Sequence, residues 1–348
     1  MFNKHYFFLP LLLLLSCGTE NESSELVYLD SNGVTILCPD AEIGDVGVVN
    51  GVEYEVVDRN LLIQRRIMES DLSNVCVSKV TDMSRMFENS QFNQPIGNWD
   101  VGSVTDMSWM FFNSQFNQSI DKWNVSSVTD MEGMFLGSQF NQPIGDWDVS
   151  SVTIMGGMFA NTEFNHPIGK WDVGSVTNIG GMFGGNEDFN QDIGSWDVSN
   201  VQIMGNTFYL SSFNQDISSW DVSQVIYMDR LFEGTPFNQD ISDWDVSSVT
   251  TMSRMFFDTP FNQPVNNWDV SNVTEMNRMF ERSQFDQPIP NWDVSMVNSM
   301  DRMFYQSMFN QDISGWCVSN IRFVPQDFST ESPLTEENKP VWGSCPSN

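Results

Sequence analysis

The chain has 348 residues, and its 46 acidic against 15 basic side chains leave a formal net charge of −31. So acidic a composition argues against binding to a phosphate backbone, which needs clustered Lys and Arg. It does not signal disorder either, because 27 Phe, 12 Trp and 21 Met supply far too many apolar anchors.

Residues 1–16 read as a targeting segment. Lys4 supplies a positive start, and Tyr6 to Leu15 is an apolar run too short to span a bilayer. The run ends in Leu14-Leu15-Ser16-Cys17-Gly18, which resembles the bacterial lipobox. That resemblance implies a signal peptide removed before Cys17, a diacylglycerol on Cys17 and a lipoprotein held at the outer membrane by its lipid alone. A plain secretory signal with an incidental cysteine is the alternative. Residues 17–25 are polar and acidic without apolar periodicity, a flexible tether. Their acidic residues resemble an export signal that turns lipoproteins toward the cell surface; a periplasmic face is the other address.

Residues 26–80 form an N-terminal cap of hairpin plus helix. Val27–Leu29 and Val34–Leu37 read as strands around Ser31-Asn32-Gly33. Val46–Val49 and Val52–Val57 flank Asn50-Gly51, a dipeptide that suits the positive φ of a tight hairpin. Asp58 is placed to cap a helix from about Arg59 to Glu69.

Residues 81–316 repeat. A Trp recurs at 99, 123, 147, 171, 196, 220, 244, 268, 292 and 316, every 24 residues except for one step of 25 at Gly184-Gly185-Asn186-Glu187-Asp188. Periods of this length mark stacked repeats. Each unit is expected to contribute a half-buried strand at Ile-x-x-Trp-Asp-Val, alternating inward and outward, and a short helix at Val-Thr-x-Met-x-x-Met-Phe, whose apolar residues stand at i, i+3, i+4. The predicted fold class is an α/β repeat solenoid of about ten such units between two caps. The recurring motif resembles the leucine-rich-repeat surface proteins of the BspA type, especially the repeats of unknown function found in surface lipoproteins of mycoplasmas and Listeria. The resemblance covers about 77–328, and it implies a right-handed, LRR-like stack, a cell-surface location and a role in adhesion or protein contact.

Stacking turns sequence columns into ladders. The Asn column, from Asn93 to Asn310 with Asp286 as its one exception, is expected to be buried and to bond backbone groups at each turn. The Gln column beside it is broken by His166, which reads as a structural replacement. An acidic column runs through Asp100, Asp148, Asp172, Asp197, Asp221, Asp245, Asp269 and Asp293, with Asn124 in second place. Aligned like charges repel, and three readings of them stay open: bonds to nearby Ser hydroxyls and amides, Ca²⁺ between rungs, or an acidic recognition strip. Arg230, Arg254, Arg278 and Arg302 form a shorter basic row, either paired with neighbouring acids or a secondary binding stripe.

Residues 317–348 close the stack as a C-terminal cap. Besides Cys17 the chain has Cys38 and Cys76 in one cap and Cys317 and Cys345 in the other. Cys76 and Cys317 fall in one column at opposite ends, roughly 50 Å apart at about 4.8 Å per rung, so the local pairs Cys38–Cys76 and Cys317–Cys345 are expected. No nucleophile sits beside a base, no phosphate loop is present, and no Cys-x-x-Cys or second ligand-forming His suggests zinc. The expected function is non-enzymatic: a monomeric, disulfide-bonded adhesion scaffold for an extracellular protein or glycan, without nucleic acid or a required cofactor. A structural or Ca²⁺-stabilised spacer, or an enzyme acting on polysaccharide, are the alternatives.

Overall fold

The computed structural model describes residues 26–346. The expected signal peptide, tether and lipid-bearing Cys17 lie outside the described residues.

The N-terminal cap follows its local signals. Strands β1 (Tyr28–Leu29) and β2 (Ile36–Leu37) pair antiparallel. Asn50 and Gly51 take φ of 52° and 82°, so β3 (Val46–Val49) turns directly into β4 (Val52–Val56), with Val49 opposite Val52. Helix α1 (Arg59–Ile67) starts where the Asp58 carboxylate accepts the Leu61 N–H at 2.8 Å, and it buries Leu62. The short β5 (Val75–Cys76) then runs parallel to β4 and leads into the repeats. Cys38 pairs with Cys76 inside a small cluster of Val27, Ile36, Ala41, Val49 and Val56, and Cys317 pairs with Cys345 at the far end, as the local pairing requires.

Within the repeats the expected elements are displaced. Parallel bridges link Asp82, Asp106, Asp130, Ile154, Asn178, Ile203, Tyr227, Thr251, Glu275 and Ser299 in succession. The ladder therefore lies at the residue before the first Met of each unit, not at Trp-Asp-Val. The expected helix is also absent: among the described residues α1 is the only α-helix, and a single 3₁₀ turn spans Glu336–Asn338. One unit shows why. The amides of Met131, Gly133, Phe135 and Gly137 donate to the next rung, to Ile154, Gly156, Met158 and Ala160, at 2.8–3.0 Å. The intervening amides of Met134 and Leu136 donate back to Met131 and Gly133 at 3.2 and 3.1 Å. Two successive tight turns thus bring Met131, Met134 and Phe135 inward, as one turn of helix would, while leaving every second amide free for the neighbouring rung. Positive φ at Gly133 (57°) and Gly137 (67°) makes this path and excludes an α-helix.

The described chain is a repeat protein of β character with little helix and no closed barrel. Its interior columns of Ile, Trp, Val, Met and Phe are buried throughout, and one continuous apolar cluster runs from Val57 to Leu334. Equivalent aromatic rings stack from rung to rung, as in Phe135–Phe159 at 5.8 Å and Trp123–Trp147 at 6.5 Å. Each indole N–H from Trp123 to Trp316 is satisfied inside the core by the Ile or Val carbonyl of the preceding rung at 2.9–3.2 Å. The longer step is absorbed by Asn186, which is fully buried. Its amide donates to the Thr162 hydroxyl and the Phe164 carbonyl, and its side-chain oxygen accepts from Asp188 and Phe189.

Candidate binding faces

The acidic column is built by local turns. Each member follows a buried Trp, and its Oδ1 accepts the amide two residues later at 3.0–3.2 Å, from Gly102 against Asp100 to Ser295 against Asp293. This is the Asx turn that Asp and Asn favour at loop starts. Ser150 and Ser199 add their hydroxyls to Asp148 and Asp197 at 2.6 Å. The Ser hydroxyl first, and its amide second, hold Asp148, Asp197, Asp245 and Asp293 below the usual carboxylate range. Of the column, Asp100 is half-buried, while Asp148, Asp172, Asp197, Asp221, Asp245, Asp269 and Asp293 are exposed. The geometry at Oδ1 therefore matches the hydrogen-bonding reading. Among the described residues, no group of three or more His, Cys, Asp or Glu side chains converges as a metal cluster.

A second acidic column went unread. Asp192, Asp216, Asp240 and Asp312 accept the amides of Gly194, Ser218, Ser242 and Ser314 in the same way at 2.9–3.0 Å. Its signal was the Asp-x-Gly/Ser triplet four residues before Trp, the same short pattern that follows the Trp.

The Asn ladder bonds as expected but near the surface. Asn93 Oδ1 accepts the Asn117 amide at 2.9 Å, and Asn117 accepts Asn141 likewise. The Gln side chains cross-brace this ladder, and His166 does their work through Nε2 at 3.1 Å from the Asn141 carbonyl.

The Arg row occupies an unexpected backbone. Arg85, Trp109, Gly133, Gly157, Gly181, Asn206, Arg230, Arg254, Arg278 and Arg302 share one column, all with φ between 56° and 67°. Gly is at home in this left-handed region, whereas other L-residues pay roughly 1–2 kcal/mol each. Around the C-terminal Arg residues lie two acids that the sequence reading passed over. Glu233 and Glu281, 5% and 4% exposed, sit between guanidinia of successive rungs. Arg254 reaches Glu233 at 2.9 Å with Arg230 at 3.7 Å, and Arg278 and Arg302 approach Glu281 at 3.7 and 4.0 Å. Burial raises the Glu281 carboxyl, against the pull of the surrounding Arg residues. Arg302 also meets Asp327 at 3.1 Å, and Arg282 meets Asp258 at 3.6 Å. Guanidinia lie over aromatic rings at 5.9 Å (Arg230 on Tyr209), 5.0 Å (Arg254 on Phe257) and 4.8 Å (Arg302 on Tyr305). The column three residues after Asn206 and each of the four Arg residues reads Tyr209, Glu233, Phe257, Glu281, Tyr305, an alternation visible once the ladder is drawn.

No curated protein matches the chain. Residues 59–163, 137–236 and 228–341 match in tandem the family model described as "Mycoplasma protein of unknown function, DUF285", and with the matches running over most of its length the chain belongs to that repeat family.

Proposed function

We propose that this chain is an exported, lipid-anchored surface protein and a non-enzymatic binding scaffold, its units wound as a right-handed solenoid of the BspA-type leucine-rich-repeat kind. The observation that carries this reading is the division of each unit into inward and outward columns. The inward columns are apolar and filled, with stacked rings and satisfied indoles, so polar chemistry falls to the outward ones. Those columns present one group again at every rung, which suits an extended partner held by many weak contacts. The sole described histidine is committed to the ladder, which removes the commonest general base from consideration as a catalyst.

The acidic strip is the first face to test. Replacing Asp197, Asp221, Asp245 and Asp269 by Asn keeps the Asx acceptor, since Asn124 already fills that role. The variant is expected to melt as the parent does and to lose capture of an extracellular partner on intact cells, with parental capture declining as salt is added. A melting temperature lowered equally by the substitutions and by EDTA would identify a Ca²⁺-stabilised spacer instead. If neither capture nor melting changes, the strip is solvated surface and the scaffold reading loses its first face.

A further inference from the structure

The C-terminal half of the stack carries a feature that stacking alone does not call for. Arg230, Arg254, Arg278 and Arg302 hold left-handed backbone, although their column uses Gly at 133, 157 and 181 without breaking the stack, and Arg282 does the same in a column that uses Gly at 137, 185 and 234. A residue retained against a local backbone cost is a pointer to function. The side chains gather rather than scatter: five guanidinia meet the four carboxylates of Glu233, Asp258, Glu281 and Asp327. The ribbon is thus close to neutral in a chain whose formal charge is −31. Glu233 Oε2 and Glu281 Oε2 are buried and make no hydrogen bond, each with a guanidinium nitrogen standing off at 3.7 Å, beneath guanidinia that stay partly exposed. Half-buried Tyr209, Phe257 and Tyr305 recur on every second rung, about 10 Å apart at the spacing of parallel strands.

From this we infer that the ribbon from Tyr209 to Tyr305 is a binding face for a neutral, hydroxyl-rich linear polysaccharide, a conclusion that rests on the scaffold reading and names its ligand class. Planar guanidinia present paired donors to vicinal hydroxyls. A hydroxyl entering between two guanidinia supplies the short donor that each of these Glu oxygens lacks, its Arg partner standing 3.7 Å away. Guanidinium-covered rings on alternate rungs offer a flat stacked surface to alternate sugars in an extended chain, because two rungs span a length close to that of a disaccharide. An anionic polymer would face a ribbon that is close to neutral within a strongly acidic molecule, so charge favours the neutral class.

The test uses the full-length protein in detergent and a panel of soluble neutral polysaccharides built from glucose, mannose, galactose or N-acetylhexosamine, with heparin and polyglutamate as anionic probes. Binding to at least one neutral polysaccharide is expected, nearly unchanged between ~50 mM and ~500 mM NaCl. The double variant Phe257→Ala, Tyr305→Ala should weaken it by about tenfold or more. Arg254→Lys keeps the charge and the backbone but loses the planar fork, so it should weaken binding clearly while lowering the melting temperature only slightly. Preferential, salt-sensitive binding of heparin or polyglutamate would overturn the ligand class. Unaltered polysaccharide binding in both ribbon variants, with loss in the acidic-strip variant, would overturn the ribbon and leave the scaffold standing. Binding to no neutral polysaccharide overturns the proposal, while partner capture on intact cells decides the scaffold reading separately.

Discussion

Rungs 133–181 and rungs 230–302 follow the same backbone with different residues. In the first set the left-handed column is Gly, and the Trp109 ring lies so close that a Cβ on Gly133 would stand 2.8 Å from it. In the second set the column is Arg, at φ of 56–61°. The comparison teaches that inter-rung hydrogen bonding sets this conformation, and the residue either accepts it freely or is held in it by its contacts. Arg is held by Glu233, Glu281 and neighbouring rings; Gly needs no such partners.

The comparison breaks most forcefully in the core. Phe135 and Phe256 are fully buried in equivalent positions of the two sets, so Phe135→Ala and Phe256→Ala should each destabilise by about 3–5 kcal/mol in denaturant unfolding. A large difference between them would mean that the halves share a backbone without sharing a packing. The backbone itself is tested next. Nothing lies within 4 Å of a Cβ built on Gly181, so Gly181→Ala isolates the left-handed cost, about 1–2 kcal/mol. Arg254→Gly removes the same cost but also its Glu233 pair and its contact with Phe257, and its net effect should lie within about 1 kcal/mol of zero. A substantial stabilisation by Arg254→Gly would show that the Arg contacts contribute nothing.

The smallest effect is a pH difference. Asp121, Asp148 and Asp197 in the N-terminal part, and Asp216, Asp240, Asp245, Asp293 and Asp312 in the C-terminal part, are all lowered from 3.8 by hydrogen bonds from Ser hydroxyls and amides, Asp121 with Lys122 adding to its Ser119 hydroxyl. A lowered folded-state value adds stability that is complete above the unfolded value and is lost as pH falls through the folded one. Amide exchange should therefore loosen below pH 3.8, first in the C-terminal part, where more of these acids lie. Glu281 works in the opposite sense. Its raised value means that protonation above 4.5 relieves an unfavourable buried charge, so the rungs around it should tighten slightly as pH approaches 4.5 from neutrality. Uniform loosening along the whole stack would remove the distinction between the halves.

The cap and the columns were legible for different reasons. Asn50-Gly51 and Asp58 are signals whose physics is local, and both do in the structure what their chemistry requires. The inward columns were legible because burial follows apolar pattern whatever the backbone does. The strand and helix placements failed because i, i+3, i+4 spacing is met equally by one helical turn and by two tight turns. The Gly residues at 133, 157 and 181 and the Gly or Asn residues at 113, 137, 161 and 185 carried the missing signal, since these types tolerate positive φ. The ribbon was half legible: the Arg row stood out, but Glu233 and Glu281 were passed over because exposed and buried acids look alike in sequence.

By itself the sequence determined the period, the Asn, Gln and first acidic columns, the inward face and the local cysteine pairing, because all of these follow from equivalent residues meeting at a constant spacing. Only the tertiary structure decided which amides bond to the next rung rather than within their own. That choice moved the parallel ladder to the residue before the first Met, replaced the helix by paired turns, and set Arg side chains beside buried carboxylates. The physical reason is that a rung's backbone hydrogen bonds are completed by its neighbour, so no single unit contains the information that selects its conformation.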